Sequence, residues 1–345
     1  MSTNSFIPRP GCASNSSLSG STLKTTGTTS EIELSIVTTL YNSAPYLQEF
    51  CQRILEQAER ITERFELILV NDGSPDESLD IVCALCESDY RIKVVDLSRN
   101  FGHHKAIMTG LAHASGQQVF LIDCDLEEQP ELLAEFFEEF ERSGSDVVYG
   151  VQQERSGSWF RKITGHISYT LINKLMSFPV PRNVCTVRLM SRRFVHSLLS
   201  CSEREVNIAG LWAYVGYRQT AIPIEKRMKP STDYTLTKRL AVTISWITGF
   251  SSIPLVMIAY LGGLILVLST LWIAYLVSIR VFFGNLPNGY TSLIVSVWFL
   301  GGLILFSIGI VAIYLSVMFS EVKRRPFTIE RAVYQKEAQS RKAAA

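Results

Sequence analysis

Two long runs without charge dominate the carboxyl-terminal third of the sequence. No Asp, Glu, Lys or Arg occurs from Leu240 to Ile279 or from Val281 to Ser320, and a single arginine separates the two runs. Each run exceeds the roughly 20 apolar residues that a helix needs to cross a bilayer. The sequence therefore predicts two transmembrane helices, at about Ser252–Ile279 and Thr291–Phe319, joined as a hairpin by a short connection.

Basic residues lie on both flanks of this predicted hairpin. Lys323, Arg324 and Arg325 follow the second run, and several more Lys and Arg residues precede the first, whereas only Arg280 lies between the runs. Positively charged residues accumulate on the cytoplasmic side of membrane helices. We therefore expect a multi-pass protein of the cell inner (plasma) membrane whose large domain is cytoplasmic.

Strand and helix patterns alternate about five times in the first half of the chain. The strand candidates are Leu34–Leu40, Phe65–Val70, Ile92–Leu97, Gln118–Ile122 and Asp146–Tyr149, and helical patterns lie between them. This alternation is typical of an α/β fold in which helices cover both faces of a mostly parallel, Rossmann-like sheet. Ligands bind such sheets at the carboxyl ends of the strands.

Composition divides the chain into five parts. Residues 1–30 are rich in Ser, Thr, Gly and Asn, which predicts a disordered tail. We expect a globular domain over 31–235, an amphipathic helix on the membrane surface over 236–250, the two spans over 251–320 and a cytoplasmic tail over 321–345. The net charge of +1 gives no indication of nucleic-acid binding.

Polar side chains follow the first four predicted strands. They lie in Tyr41–Asn42, Asn71–Ser74, Arg99–Gly102 and Asp123–Asp125. Two carboxylates placed two residues apart in a turn can converge on one hard cation, and Mg²⁺ or Mn²⁺ prefers carboxylate and phosphate oxygens. A metal that bridges a diphosphate would neutralise charge on a departing nucleotide. Asp123 and Asp125 therefore predict a metal-dependent nucleotide site.

Asp72 has two interpretations from its sequence context. A carboxylate at the end of a strand can accept a hydrogen bond from the N–H of a nucleobase. The sequence Asp72–Ser74 is also a good turn or helix N-cap, which is a purely structural role.

The ordered motifs resemble those of family 2 glycosyltransferases with the GT-A fold. The motifs are Leu40–Asn42, Asn71–Ser74, Arg99–Gly102, Asp123–Leu126, Val147–Gly150, Ser158–Lys162 and Arg188–Met190. The nearest subgroup is similar to dolichol-phosphate mannose synthases and bacterial undecaprenyl-phosphate glucosyltransferases. The resemblance covers roughly residues 33–325. It implies inverting transfer of a sugar from a nucleotide-sugar, with a UDP-sugar as first choice, to polyprenyl phosphate at the cytoplasmic membrane face, by a homo-oligomer such as a tetramer.

The resemblance also implies roles for individual residues. Asp72 would contact the base and Asp123 the nucleotide; Asp125 would bind the metal, together with Glu127 at a position where the family often has Gln, and Arg188 would meet phosphate. The implied catalytic set is Asp123, Asp125 and Arg188, and the nucleotide set is Thr39, Tyr41, Asn42, Asp72, Asn100 and Asp123. Arg155, Arg161 and Lys162 are implied to receive the lipid phosphate, the alternative being a basic face beside the membrane.

Thr186 departs from this family pattern. Many relatives have an Asp two residues before the arginine that corresponds to Arg188. A lipid phosphate is already anionic at neutral pH, so its attack on a sugar needs no strong general base. The departure nevertheless motivates two alternatives, a catalytically silent membrane scaffold that retains the fold and a transferase with a non-polyprenyl acceptor.

Overall fold

The computed structural model describes residues 32–152, 183–201, 207–226, 253–283, 289–323 and 325–336, together with Pro181 and Glu203. These residues form two compact units, one built around a sheet and the other containing the apolar helices. The predicted tail over 1–30, the predicted surface helix over 236–250 and the basic residues Arg155, Arg161 and Lys162 lie outside the described residues.

The described part of the chain contains eight strands, which are β1 (Leu34–Leu40), β2 (Phe65–Asn71), β3 (Ile92–Leu97), β4 (Gln118–Leu121), β5 (Val147–Gln152), β6 (Val184–Ser191), β7 (Gln219–Ile224) and β8 (Glu330–Gln335). They form one sheet in the order β7-β5-β6-β4-β1-β2-β3-β8. Neighbours β4, β1, β2 and β3 are parallel, as are β5 and β7, whereas β6 and β8 are antiparallel to their neighbours. The predicted α/β class with a mostly parallel sheet is confirmed.

Helices cover both faces of the sheet because the central strands are apolar on both sides. In β1, Ile36 belongs to a core cluster shared with α1 (Ala44–Ile61), α2 (Ser78–Ser88) and α4 (Leu132–Ser143). The next residue, Val37, points to the opposite face. There α3 (His103–His113) packs so closely that a Cβ at Gly110 would lie 2.5 Å from Val37 Cγ1.

Two short helices, α5 (Arg192–Ser200) and α6 (Ile208–Tyr214), lie between β6 and β7. Ser191 caps the first, because its hydroxyl accepts a hydrogen bond from the backbone N–H of Phe194. Asn207 caps the second in the same way through Gly210. These caps explain why polar residues stand where both helices begin.

The segment predicted as a cytoplasmic tail contributes a strand to the sheet. Glu330–Gln335 forms β8, which pairs antiparallel with β3, with Tyr334 opposite Val94. The short, mixed polar and apolar segment predicts no element by itself. Its pairing is a tertiary effect, since β3 would otherwise present an open sheet edge.

The described helices include two that are long and apolar enough to cross a membrane. They are α7 (Ile253–Phe283) and α8 (Tyr290–Val322), whose most apolar segments have mean hydropathies of 2.2 and 2.4. The first helix continues through Arg280, which the sequence analysis placed in the connection. No Gly or Pro lies between Gly263 and Gly284, so nothing in the local sequence ends the helix at Ile279.

Candidate functional site

The loops that follow β1 and β2 are joined at the carboxyl edge of the sheet. The backbone N–H of Asn42 donates to Ser74 Oγ at 2.8 Å, and that of Ala44 donates to Asp76 Oδ2 at 3.0 Å. Burial raises the pKa of Asp76, but hydrogen bonds from Ser74, Ser78 and Ala44 outweigh it and lower the pKa to about 2. Asp76, which was not predicted from the sequence, therefore holds the two loops together as an ionised carboxylate at neutral pH.

Asp72 fixes the loop that follows β3. Its Oδ1 accepts the N–H of Phe101 at 2.7 Å and its Oδ2 accepts the N–H of Gly102 at 3.0 Å, while only 3 % of the residue is exposed. The adjacent Gly73 has φ +62, and a Cβ there would lie 2.5 Å from the carbonyl carbon of Arg99. The sequence Asp-Gly is thus required by the close approach of two loops. Contact between Asp72 and a nucleobase stays a prediction.

Thr39 reaches the acidic turn through a histidine. Thr39 Oγ1 lies 3.0 Å from His103 Nδ1, and His103 Nε2 lies 3.5 Å from Asp123 Oδ1. Burial lowers the pKa of His103, although Asp72, Glu128 and Asp125 act in the opposite direction. His103 was not predicted, but its position directly after the Arg99–Gly102 motif, at the start of α3, is a signal that could have identified it.

Carboxylates crowd the turn that follows β4. Asp125 Oδ1 accepts the backbone N–H of Glu127 at 3.1 Å, and Leu126 adopts a positive φ of 60°, so the turn folds back on itself. Burial raises the pKa of Asp123 to about 6; Asp125 and Glu127 also raise it, whereas Thr186 and Lys226 lower it. A cation beside these groups would relieve the repulsion.

The turn fits a cation that is completed by a substrate. Among the described residues, no group of three or more His, Cys, Asp or Glu side chains is arranged to hold a metal alone. Mg²⁺ is commonly held by one or two carboxylates plus substrate phosphates. The carboxylates of Asp125 and Glu127 match that donor set, so these two residues would hold the cation together with a diphosphate.

Arg188 does not face the solvent. The residue is 1 % exposed, its Nε donates to the carbonyl of Thr186 at 3.1 Å and one terminal nitrogen donates to the carbonyl of Cys185 at 3.0 Å. The guanidinium also stacks on the ring of Trp212. The two hydrogen bonds use two of the five guanidinium N–H groups, and contact between Arg188 and a phosphate stays a prediction. Arg188 also supports the backbone of Thr186, whose side chain acts as a hydrogen-bond donor to Asp123.

A buried ion pair lies behind the acidic turn. Glu128 is fully buried and Lys226, just after β7, places its Nζ 2.8 Å from Glu128 Oε1. Removing a carboxylate from water is costly unless a cation compensates it. Neither residue was predicted, because the pair joins positions about 100 residues apart in the sequence.

The structure brings most of the predicted donor-site residues to one edge of the sheet. Tyr41 is half exposed, and Asn42 and Asn100 are exposed on neighbouring loops. The residues at this edge are Thr39, Tyr41, Asn42, Asp72, Asn100, Asp123, Asp125 and Glu127. The arrangement can bind a nucleotide between the loops and a diphosphate at the acidic turn. These roles stay predictions.

This chain is similar to known proteins over most of its length. The profile of glycosyl transferase family 2 matches residues 35–199. A glycosyltransferase of Mycobacterium tuberculosis is 47 % identical over 303 residues, which are 88 % of this chain and 89 % of that protein. A prophage-derived bactoprenol glucosyl transferase of Shigella flexneri is 32 % identical over 86 % of this chain and 96 % of its own length.

A solved structure, S. aureus TarS 1-349 in complex with UDP-GlcNAc, is 18 % identical, with a TM-score of 0.42 over 63 % of this chain and 66 % of that chain.

Proposed function

The chain belongs to glycosyl transferase family 2, and from this premise we propose that it transfers one sugar from a nucleotide-sugar to polyprenyl phosphate. A UDP-sugar is the proposed donor. The acceptor is supported by relatives named as bactoprenol glucosyl transferases that match this chain over most of both lengths. The single structural observation that carries the proposal is the crowded carboxylate turn Asp123–Glu127, which lies beside the nucleotide loops at the carboxyl edge of the sheet.

On this proposal the donor is held by residues at the ends of four neighbouring strands, β4, β1, β2 and β3. Asp72 keeps the Arg99–Gly102 loop in place, and Asp76 keeps the β1 and β2 loops together, so the nucleotide meets a preorganised surface. The Asp123–Glu127 turn would hold Mg²⁺ or Mn²⁺, which when bound would neutralise charge on the diphosphate leaving group.

The acceptor needs little activation by the protein. A phosphate monoester carries a nucleophilic anionic oxygen at neutral pH, so it can attack the anomeric carbon while the bond from that carbon to the diphosphate oxygen breaks. Attack from the opposite face inverts the configuration. Thr186, where many relatives have Asp, is compatible with this reaction because no proton has to be removed from the acceptor.

We place the reaction at the cytoplasmic face of the membrane. The apolar helices α7 and α8 would insert as a hairpin, with the basic flanks on the side of the sheet domain. Arg155, Arg161 and Lys162 are proposed to receive the lipid phosphate near that surface.

A transfer assay tests the proposed function. Membranes that contain the full-length protein are given a panel of radiolabelled nucleotide-sugars, undecaprenyl phosphate and Mg²⁺ or Mn²⁺. We expect label from one donor to enter the lipid fraction, and to be released by mild acid as expected of a sugar phosphodiester. Absence of transfer from every donor in the panel, by correctly folded protein, would contradict the proposal.

Asp125→Ala is compared with the control Asp80→Ala, because Asp80 is an exposed aspartate in the first turn of α2 and is not part of the acidic turn. We expect transfer to be lost in the first variant and retained in the second. If the protein is a catalytically silent scaffold, neither the wild type nor Asp125→Ala nor Asp80→Ala transfers sugar. A transferase with another acceptor would consume the donor only when that acceptor replaces the lipid phosphate.

A further inference from the structure

The strand that follows both apolar helices packs beside the proposed nucleotide loops. Just before β8 begins, the carbonyl of Ile329 accepts the backbone N–H of Ser98 at 2.9 Å, and the hydroxyls of Thr328 and Thr109 lie 2.8 Å apart. Ser98 immediately precedes the Arg99–Gly102 loop, which Asp72 holds. The start of β8 therefore contacts the base of a loop that belongs to the candidate donor site.

Arg331 adds side-chain contacts at this position. One terminal nitrogen donates to the carbonyl of Ser98 at 3.0 Å, and the other lies 3.4 Å from Asp96 Oδ2. Asp96 is fully buried in β3. Burial raises the pKa of Asp96, whereas the hydrogen bond from Asn71 and the charge of Arg331 lower it. Among the described residues, Arg331 is the cation paired with this buried carboxylate.

A continuous chain of hydrogen bonds leads from Asp96 to the nucleotide loops. Asn71 Nδ2 donates to Asp96 Oδ1 at 2.8 Å, and Asn71 Oδ1 accepts the backbone N–H of Ser74 at 3.2 Å. Ser74 Oγ then accepts the N–H of Asn42 at 2.8 Å. One side chain on β8 thus supports the loops after β1 and β2 through Asp96 and the loop after β3 through Ser98.

We propose that Arg331 is a positioning residue of the donor-nucleotide site, so that the site is completed by polypeptide that follows both apolar helices. This inference rests on the proposed function. Arg331 need not touch the donor: it holds Asp96 and Ser98, and these hold the loops. Without Arg331, the buried carboxylate of Asp96 loses the positive charge beside it, and a buried carboxylate without a compensating cation destabilises the fold around it. The loops would then bind the nucleotide with less preorganisation.

The experiment uses the full-length protein in detergent or lipid nanodiscs and compares Arg331→Ala with Arg331→Lys and Lys336→Ala. Lys336 is the matched control, because its Nζ also donates to a backbone carbonyl, that of Glu87 at 2.9 Å, but at the opposite end of the strand from the loops. Binding of the UDP-sugar and of UDP is measured by calorimetry, KM and kcat by the transfer assay, and folding by thermal unfolding.

We expect Arg331→Ala to weaken nucleotide binding and raise the donor KM on the order of tenfold, which corresponds to about 1.4 kcal/mol. The change in kcat should be smaller, because the acidic turn is not part of this hydrogen-bond chain. Arg331→Lys should weaken nucleotide binding by a smaller factor. Lysine keeps the positive charge, but it has one terminal nitrogen and cannot contact Ser98 and Asp96 with two separate nitrogens as arginine does. Lys336→Ala should bind the nucleotide as the wild type does.

Equal nucleotide affinity in folded Arg331→Ala and in the wild type would overturn the inference, as would an equal loss in Lys336→Ala. If Arg331→Ala does not fold, the inference is tested with Arg331→Lys alone. A donor KM above that of the wild type, at an unchanged unfolding temperature, would support the inference. A donor KM equal to that of the wild type would contradict it. A wild-type protein that binds no nucleotide would instead contradict the proposed function on which the inference rests.

Discussion

At Asp72, one carboxylate accepts two backbone N–H groups of a loop that lies 29 and 30 residues further along the chain. The same residue was predicted to contact a base and, alternatively, to be a turn residue. The geometry favours a third role, in which Asp72 fixes the loop after β3. This role is compatible with both earlier interpretations, because each carboxylate oxygen keeps a second lone pair that can accept another hydrogen bond. The sequence identified an important residue, but its partners are set by the packing of β2 against β3.

Asp72→Asn tests loop fixation with a side chain of the same shape. The amide nitrogen of Asn cannot accept a hydrogen bond, so one partly buried N–H of the loop loses its partner, at a cost of about 1–3 kcal/mol. We expect the donor KM to rise on the order of tenfold or more. Transfer kinetics over a donor concentration series measures the effect. Asp80→Asn, at an exposed position on α2, should behave as the wild type does; an unchanged KM in Asp72→Asn would contradict loop fixation.

At the scale of the elements, a second carboxylate ties the starting ends of the strands together. Glu66 in β2 accepts the hydroxyl of Ser35 at 2.7 Å and both the N–H and the hydroxyl of Ser115, at 2.7 and 2.6 Å, and Lys93 lies 3.5 Å away. Burial raises the pKa of Glu66, but these hydrogen bonds and the lysine outweigh it, so the pKa is lowered. Strands β1, β2 and β3 and the loop before β4 thus share one buried anion.

This network predicts a pH dependence of stability. Because the folded pKa of Glu66 is below its ordinary value of 4.5, the stabilisation is fully present above about pH 4.5 and is lost as the pH falls through the folded pKa. We expect Glu66→Gln to lower the unfolding temperature at pH 7, and the difference from wild type to shrink below pH 4.5. Thermal unfolding between pH 7 and pH 3 measures this.

Glu63→Gln is the matched control, because Glu63 is exposed near the same end of β2. Its unfolding temperature should follow that of the wild type at every pH. A stability difference in Glu66→Gln that stays constant down to pH 3 would contradict the assigned role of the ionised carboxylate.

At the scale of the whole molecule, β8 restricts the path of the chain through a membrane. The sheet contains residues that precede the apolar helices and residues that follow them, since β8 pairs with β3. If the apolar helices cross a membrane, both of their flanks therefore have to lie in one compartment, which requires an even number of crossings. The positive flanking residues lead independently to the same topology. The predicted homo-oligomer stays a prediction.

Reporter fusions test this topology. Alkaline phosphatase, which is active only outside the cytoplasm, should be inactive when fused after Ala345 and active when inserted after Asn288, between α7 and α8. Green fluorescent protein at the same two positions should give the opposite pattern. Both reporters indicating the same compartment at both positions would contradict a two-span hairpin, and an active phosphatase after Ala345 would contradict the cytoplasmic placement of the domain.

The first five strands and their helices were predictable because each depends on a local pattern. The predicted strand Ile92–Leu97 matches β3 at both ends, and predicted Leu34–Leu40 matches β1. Strands β6, β7 and β8 were not predicted, because β6 and β8 are antiparallel to their neighbours and β7 and β8 lie at the sheet edges, so their pairing depends on distant segments. The same distinction holds in the site: Asp123 and Asp125 lie two residues apart in the sequence and were identified, whereas His103 and the Glu128–Lys226 pair depend on tertiary contacts.

The sequence by itself determined the two apolar helices, the order of strands and helices that makes a parallel sheet, and the polar residues at the strand ends. Apolar length, periodicity and motif spacing are local properties that the chain carries before it folds. Only the tertiary structure decided which carboxylates are bound by backbone N–H groups, that Arg188 is buried against Trp212 and that Arg331 reaches Asp96. Those outcomes depend on burial and on contacts between segments far apart in sequence, and burial is what makes an unpaired charge costly enough to require a specific partner.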